Sequence, residues 1–454
     1  MSSVPVAEPA QAHRALTLST VAFTVCFAVW TIFSIIGVQI KKDLGLNDTQ
    51  FGLLVGTPIL TGSLIRLVLG IWTDQYGGRV VYGLVMVSAA VATWLLTYAY
   101  DYPTFLIAAL GVGIAGGSFA VGIAYVSKWY PKERQGTALG IFGMGNVGAA
   151  VTKFLARFVM VTYGWQAVAQ VWAVALVIMA VIFWFATSDD PLLEERRRTG
   201  AKPESMASQM APLKNLQVWR FSLYYFFVFG AFVALALWLP RYYVGVYGLD
   251  IVTAGMLGAA YSIPGSIFRA FGGVLSDKVG ARRVMYWTFI ASVICTFLLS
   301  YPATDYVVHG ITGDIRFTVA IGFVPFTMLT FILGFFMSLG KAAVYKHIPV
   351  YYPNHVGAVG GIVGLIGGLG GFVLPIAFGA LNDLIGVWTS CFMLLFVVVA
   401  TSLLWMHFSI LYMEKRRIPE LAGPKYLPDV DVFGPVLPPR PGKPAVPLSR
   451  HSAD

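Results

Sequence analysis

The sequence predicts an all-α membrane protein with twelve transmembrane helices in two related six-helix bundles. Three observations predict it. The 454-residue chain is 57% hydrophobic and 11% charged, whereas soluble domains are about 25% charged. Twelve apolar runs lie along it, on the scale of the roughly 20 residues that cross a bilayer as a helix. The surroundings of one intramembrane arginine also return, in the same spacing, 203 residues later.

That repeat starts from Arg66. The stretch from Phe51 to Ile65 is apolar and uncharged, so Arg66 lies inside a span, and Gly70, Asp74 and Arg79 follow towards its end. Arg269, Gly273 and Asp277 repeat the steps of four and eight, and Arg282 and Arg283 close the second loop. A second echo joins spans 4 and 10. Gly122 to Pro131 contains Lys128, and Gly340 to Pro349 contains Lys346, each lysine six residues after its glycine. A third joins spans 5 and 11, where Gly136, Gly140 and Gly143 match Gly357, Gly361 and Gly364. Parallel repeats about an axis along the membrane normal are the plan of the major facilitator fold, with the substrate site at the midplane between the halves.

In order, the spans are expected at 17–39, 51–73, 80–100, 104–127, 136–158, 165–187, 218–240, 253–275, 284–303, 317–342, 356–381 and 387–412. This gives an N-terminal tail (1–16), a first bundle (17–187), a central loop (188–217), a second bundle (218–412) and a proline-rich tail (413–454) expected to be disordered. The first residues are polar and lack a small-residue cleavage site, so no cleavable signal is expected. Most loop Lys and Arg fall at the termini, in the central loop and after even-numbered spans. The other side holds chiefly Lys41, Lys42, Arg241 and Arg316. Both termini are therefore expected in the cytoplasm, and this asymmetry explains the net charge of +10 better than nucleic-acid binding does. Cys26, Cys295 and Cys391 all lie in apolar runs, so neither a disulfide framework nor a metal site is expected. With no cofactor motif and no nucleophile–base pattern, an enzyme is not expected either.

An arginine within a span costs about 2.5–3.5 kcal/mol on insertion scales. Two of them, Arg66 and Arg269, at matched depth and with no acidic residue inside any span, leave a positive centre without a counter-ion. A small planar anion gripped from both sides by forked guanidinium donors would resolve this. The plainer alternative is that each arginine bonds backbone carbonyls and fixes packing. At a separation of roughly 8 Å and an effective dielectric of about 20, the empty pair repels by about 2 kcal/mol. Anion binding is therefore expected to let the halves close. The glycines of spans 5 and 11 read first as close helix packing. Asn146, polar within the span 5 run from Gly136 to Gly148, has two readings of equal weight: donation to an anion, or a bond to a neighbouring helix.

Here the residues resemble a known family. The run with Gly136, Gly140, Gly143, Gly145 and Asn146 resembles the nitrate signature of the nitrate/nitrite porters, within the major facilitator superfamily. The run with Gly357, Gly361 and Gly364 resembles its second copy. Gly70, Asp74, Gly77, Gly78 and Arg79 resemble the superfamily's loop motif after span 2. The resemblance implies that Arg66 and Arg269 bind the anion, that Phe119, Tyr225 and Phe229 flank it, and that Asn146 takes part. It implies nitrate and nitrite as substrates; a lipid bilayer as surroundings, alternating access between the halves and a monomer are expected alongside. Trp30, Phe33 and Ser34 also resemble the family and are read as packing.

Exchange of nitrate for nitrite needs no proton-binding carboxylate, so the lack of intramembrane acids favours it. Lys341 keeps proton symport open. It is read either as a pathway charge near the cytoplasmic half or, slightly preferred, as a snorkelling lysine at a span end near Lys346 and His347. Lys153 and Arg157 are expected near the outer end of span 5. Glu133 beside Arg134 reads as an ion pair of an inside gate. Another small anion, such as an organic acid, and a non-transporting sensor are the competing readings.

Overall fold

The computed structural model describes residues 9–201 and 205–417. Among them, eleven helices are long and apolar enough to cross a membrane. In chain order, α1 is Pro9–Leu44, α2 Asp48–Tyr76, α3 Gly78–Tyr98 and α4 Tyr102–Ser127. A helical stretch from Gln135 to Ala186 is broken at Gly164, where φ is +83°, and so divides into α5 (135–163) and α6 (165–186). Then follow α7 Leu216–Tyr247, α8 Ile251–Val279, α9 Ala281–Leu299, α10 Phe323–Tyr351, α11 Val356–Ile385 and α12 Ser390–Tyr412. The twelfth helix, α8, falls outside the hydropathy-selected eleven. It is 29 residues long and carries Arg269 and Asp277.

Local chemistry sets the helix ends. Asn47 caps α2 by accepting from Gln50 N at 2.8 Å, while the Gln50 side chain accepts from Asn47 N at 3.1 Å, a reciprocal box. Asp101 caps α4 through Thr104 N, and Asn215 caps α7 through Gln217 N. The turns from α2 to α3 and from α8 to α9 each pivot on a glycine with positive φ, Gly77 at +90° and Gly280 at +93°. These glycines are also 203 residues apart, so the repeat read from the arginines extends to backbone conformation. Only glycine enters this region without strain.

The two bundles meet mainly through α2 against α11 and α5 against α8. Glycines make both contacts possible. A Cβ at Gly70 would collide with the carbonyl oxygen of Gly357, and one at Gly357 with that of Gly70. Gly273 and Gly136 exclude each other's side chains in the same way, and a Cβ at Gly140 would stand 3.0 Å from the Cα of Gly273. The glycine runs thus serve first as close-packing surfaces between halves, as the plainer reading has it.

Several boundaries differ from expectation. α1 begins at Pro9, earlier than residue 17, and α9 ends at Leu299, before residue 303. Span 10 begins at Phe323, not 317. Residues Thr304–Gly310 and Gly313–Val319 form an antiparallel hairpin with Tyr306 opposite Phe317. The end of its second strand and the residues after it, Phe317 to Ile321, hold no charge and lead towards the helix, so composition gave no break there. The central loop contains a short helix, Pro191–Thr199, capped by Asp190. The tail after Arg417 lies outside the described residues.

Candidate anion-binding site

Three departures from α-helical winding surround the arginines. The 3₁₀ segment Gly113–Gly117 in α4 precedes Phe119, the 3₁₀ segment Met144–Val147 in α5 holds Asn146, and the π segment Phe226–Ala231 in α7 holds Phe229. Such irregular turns are frequent at functional sites. Here they expose carbonyls and redirect side chains towards one point.

At that point both arginines are buried, Arg66 at 1% and Arg269 at 0% exposure. Their guanidinium carbons stand 5.2 and 5.0 Å from the ring centre of the same residue, Phe119. Phe119, Tyr225 and Phe229 lie nearly parallel, with interplanar angles of 9°, 6° and 3° between pairs. Two guanidinium groups and three nearly parallel aromatic faces therefore converge on Phe119, a grouping that suits a small planar anion.

The two arginines differ in their partners. Arg66 donates from Nε to Gly116 O at 3.2 Å and from Nη1 to Gly364 O at 2.7 Å. The second bond crosses from one half to the other, so for Arg66 the packing role is real. All three guanidinium nitrogens of Arg269 are buried and make no hydrogen bond. Removing the partner of a buried charge costs about 3–5 kcal/mol. An anion would supply the acceptors that the fold does not.

The glycine runs admit these side chains. A Cβ at Gly143 would collide with the Arg269 guanidinium, and one at Gly364 would reach Arg66 Cδ at 3.3 Å. Gly361 faces the Arg66 carbonyl, and Gly145 backs onto Phe23. Asn146 lies one turn beyond Gly143. It is 7% exposed and its Oδ1 has no partner. Five of the predicted site residues (Arg66, Arg269, Phe119, Tyr225, Phe229) thus come together directly, whereas for Asn146 the link is its place three residues beyond Gly143, which abuts Arg269.

Two further residues belong to the site. Trp30, read as packing, holds its ring 5.4 Å from the Arg66 guanidinium and donates from Nε1 to Pro58 O at 2.6 Å. Tyr345 was not singled out. It stands perpendicular to Phe119 and Tyr225, with ring centres 5.0 and 4.8 Å away, and its hydroxyl donates to Gly360 O. The available signal was its position one turn beyond Lys341, on the same face of α10.

Lys341 corrects the snorkelling reading. It is 0% exposed and lies well inside α10, which continues to Tyr351. Its Nζ donates to Gly265 O at 3.2 Å and sits 3.2 Å over the Phe232 ring. Gly265 precedes Arg269 by one turn of α8. The ammonium therefore lies on the side of Arg269 away from the chain termini, not in the half expected.

The termini side is held shut by matched caps. Asp74 at the end of α2 accepts from Gly357 N at 2.7 Å, at the start of α11. Asp277 at the end of α8 accepts from Gly136 N at 2.9 Å and Thr137 N at 2.6 Å, at the start of α5. Each carboxylate also meets a lysine, Lys128 with Asp74 at 3.3 Å and Lys346 with Asp277 at 2.7 Å. The described contacts on this side run through these four residues, whereas Glu133 is exposed and forms no ion pair among the described residues. Lys153 is exposed, and the Arg157 side chain lies outside the described residues.

A carboxylate at a helix N-terminus satisfies free N–H groups and the helix dipole, and a charged hydrogen bond contributes about 1.5–3 kcal/mol. Replacing both Asp74 and Asp277 by Asn is expected to open this side. Spin labels at exposed Lys132 and Asn354, one on each half, should then show a longer distance. An unchanged distribution would mean that the caps do not hold the gate.

Comparison with known proteins agrees with this architecture. Residues 18–330 and 253–429 match the Major Facilitator Superfamily. The probable nitrate/nitrite antiporter NarK1 of Thermus thermophilus is 43% identical over 423 residues, covering 90% of this chain and 94% of that protein. The nitrite extrusion protein of Bacillus subtilis is 29% identical over 87% of this chain and 94% of its own length. Among solved structures, the human organic anion transporter MFSD10 superposes with a TM-score of 0.66 at 13% identity, over 88% of this chain and all of that one. The proton:xylose symporter XylE gives 0.68 at 13% identity, over 87% of this chain and 95% of that one. Those two likenesses concern the fold alone. On its sequence matches, the chain is a multi-pass membrane protein that belongs to the nitrate/nitrite porter family of the major facilitator superfamily.

Proposed function

We propose that the chain carries nitrate and nitrite across the cytoplasmic membrane by alternating access, exchanging one for the other, with both termini in the cytoplasm. It moves these anions rather than converting them. The observation that carries the reading is the Arg269 guanidinium, buried with three nitrogens that make no hydrogen bond and 5.0 Å from the Phe119 ring centre that Arg66 approaches at 5.2 Å. The names of the NarK1 and nitrite-extrusion relatives support the choice of anion. Parallel aromatic faces packed around the two guanidinium groups favour a small planar ion over a larger organic acid. The working unit is a monomer in this reading.

Energetics favour exchange. Bringing an anion into a cell that is negative inside costs about 2.3 kcal/mol per 100 mV, and trading one monovalent anion for another removes that term. The halves rock about the arginine pair, and the anion offsets the repulsion that otherwise opposes closure. The test is labelled-nitrate uptake into vesicles holding either buffer or nitrite, with unlabelled organic acids as competitors. Stimulation by internal nitrite is expected, without competition from the acids. Uptake indifferent to internal nitrite would contradict exchange. A second reading, nitrate/proton symport, is favoured by one observation, the burial of Lys341.

A further inference from the structure

We propose that Lys341 is the proton site of this carrier, taking up a proton when an anion binds at Arg269 and releasing it when the anion leaves. The proposal rests on the anion-transport reading above and deepens it. An ionisable side chain inside a span marks a functional site by default. Lysine, unlike arginine, can change its protonation state when buried. Among the described residues Lys341 has no carboxylate partner.

The surroundings accommodate both protonation states. Gly265 O accepts one hydrogen bond from Nζ at 3.2 Å, and it is shared with Ser338 Oγ. The Phe232 ring face attracts an ammonium without requiring one. The ionisable groups facing this pocket are few. α8 presents Arg269 one turn beyond Gly265, and Tyr261, whose ring stacks on Phe232 at 4.8 Å and whose hydroxyl points to Met337 Sδ. α7 presents the Phe232 ring. α9 packs on α10 through Thr288, whose hydroxyl bonds Phe336 O. α10 itself adds Ser338 and, one turn nearer the arginine pair, Tyr345.

The charge count then balances. With Lys341 neutral and no anion, the core carries the two arginine charges. With nitrate bound and Lys341 protonated, three cations and one anion again sum to two positive charges. The proton forms the third N–H bond of the amine as the anion reaches Arg269, and that bond breaks when the anion departs. A carrier that returned empty would therefore bear the same charge as a loaded one. Against nitrite the proton makes no net movement, because both anions carry it. Against an empty return, one proton accompanies each anion.

The experiment measures proton uptake by the purified protein in weakly buffered solution when nitrate is added, from neutral to mildly alkaline pH, with nitrate binding followed in parallel. The wild type is expected to take up a proton per nitrate over part of that range. Lys341→Met and Lys341→Arg, the latter keeping the charge, are expected to bind nitrate with at least tenfold less proton uptake per anion. Nitrate binding by wild type without proton uptake, or equal uptake in both variants, would overturn the proposal. Failure of the wild type to bind nitrate at all would instead overturn the transport reading beneath it.

Discussion

Arg269→Lys is expected to lose nitrate affinity by roughly 10- to 150-fold while the protein folds and inserts normally. Lysine keeps the positive charge, so simple attraction survives. What disappears is the planar fork of donors, two of which can hold two oxygens of one anion. Charged hydrogen bonds contribute about 1.5–3 kcal/mol each, and a tenfold change corresponds to about 1.4 kcal/mol. Folding should be spared because Arg269 makes no hydrogen bond within the protein. Arg66→Lys should behave differently. It also removes bonds to Gly116 O and to Gly364 O across the halves, so closure should suffer along with affinity. Nitrate titration of purified variants, with thermal unfolding alongside, separates the two effects. A lysine at 269 that bound nitrate as arginine does would remove bidentate recognition.

Gly357→Ala is expected to abolish transport by preventing closure on the termini side. The added methyl would collide with Gly70 O and with the Asp74 carboxylate that caps α11. Overpacking of this kind costs about 1–3 kcal/mol, and here the cost falls on one conformation. Alternating access requires α2 and α11 to separate at this end in the opposite state, where the methyl would meet no obstacle. The equilibrium should therefore shift by roughly 5- to 150-fold towards the open form. Spin labels at Lys132 and Asn354 would report a longer distance, with uptake lost and the fold retained. Normal uptake would show that the glycine contact is not part of the closed state.

Much of this arrangement was legible in the sequence because the fold repeats itself. Arg66, Gly70, Gly77 and Asp74 have counterparts 203 residues on, and each pair proved equivalent in three dimensions: buried charge, close contact, positive-φ turn and helix cap. A repeat exposes function because packing and charge must be satisfied twice by the same solution. The family resemblance added Phe119, Tyr225 and Phe229, which no count of 32 phenylalanines could have chosen.

What the sequence hid were contacts between distant segments. Lys346 looked like a mark of a nearby span end, which made Lys341 look interfacial. In the fold Lys346 is buried against Asp277, 69 residues away. Trp30 looked like one more aromatic, yet glycines 62 and 116 leave the space in which its indole reaches Arg66. The hairpin before α10 was missed because the apolar residues of its second strand extend the pattern of the helix that follows.

The central claim, that one small planar anion is shared by Arg66 and Arg269, is tested most directly by nitrate titration of four purified proteins: wild type, Arg66→Lys, Arg269→Lys and the double variant. A shared anion predicts strong coupling, with the double variant binding little worse than the weaker single one. Affinity losses that simply add, or a single variant that binds as the wild type does, would contradict it.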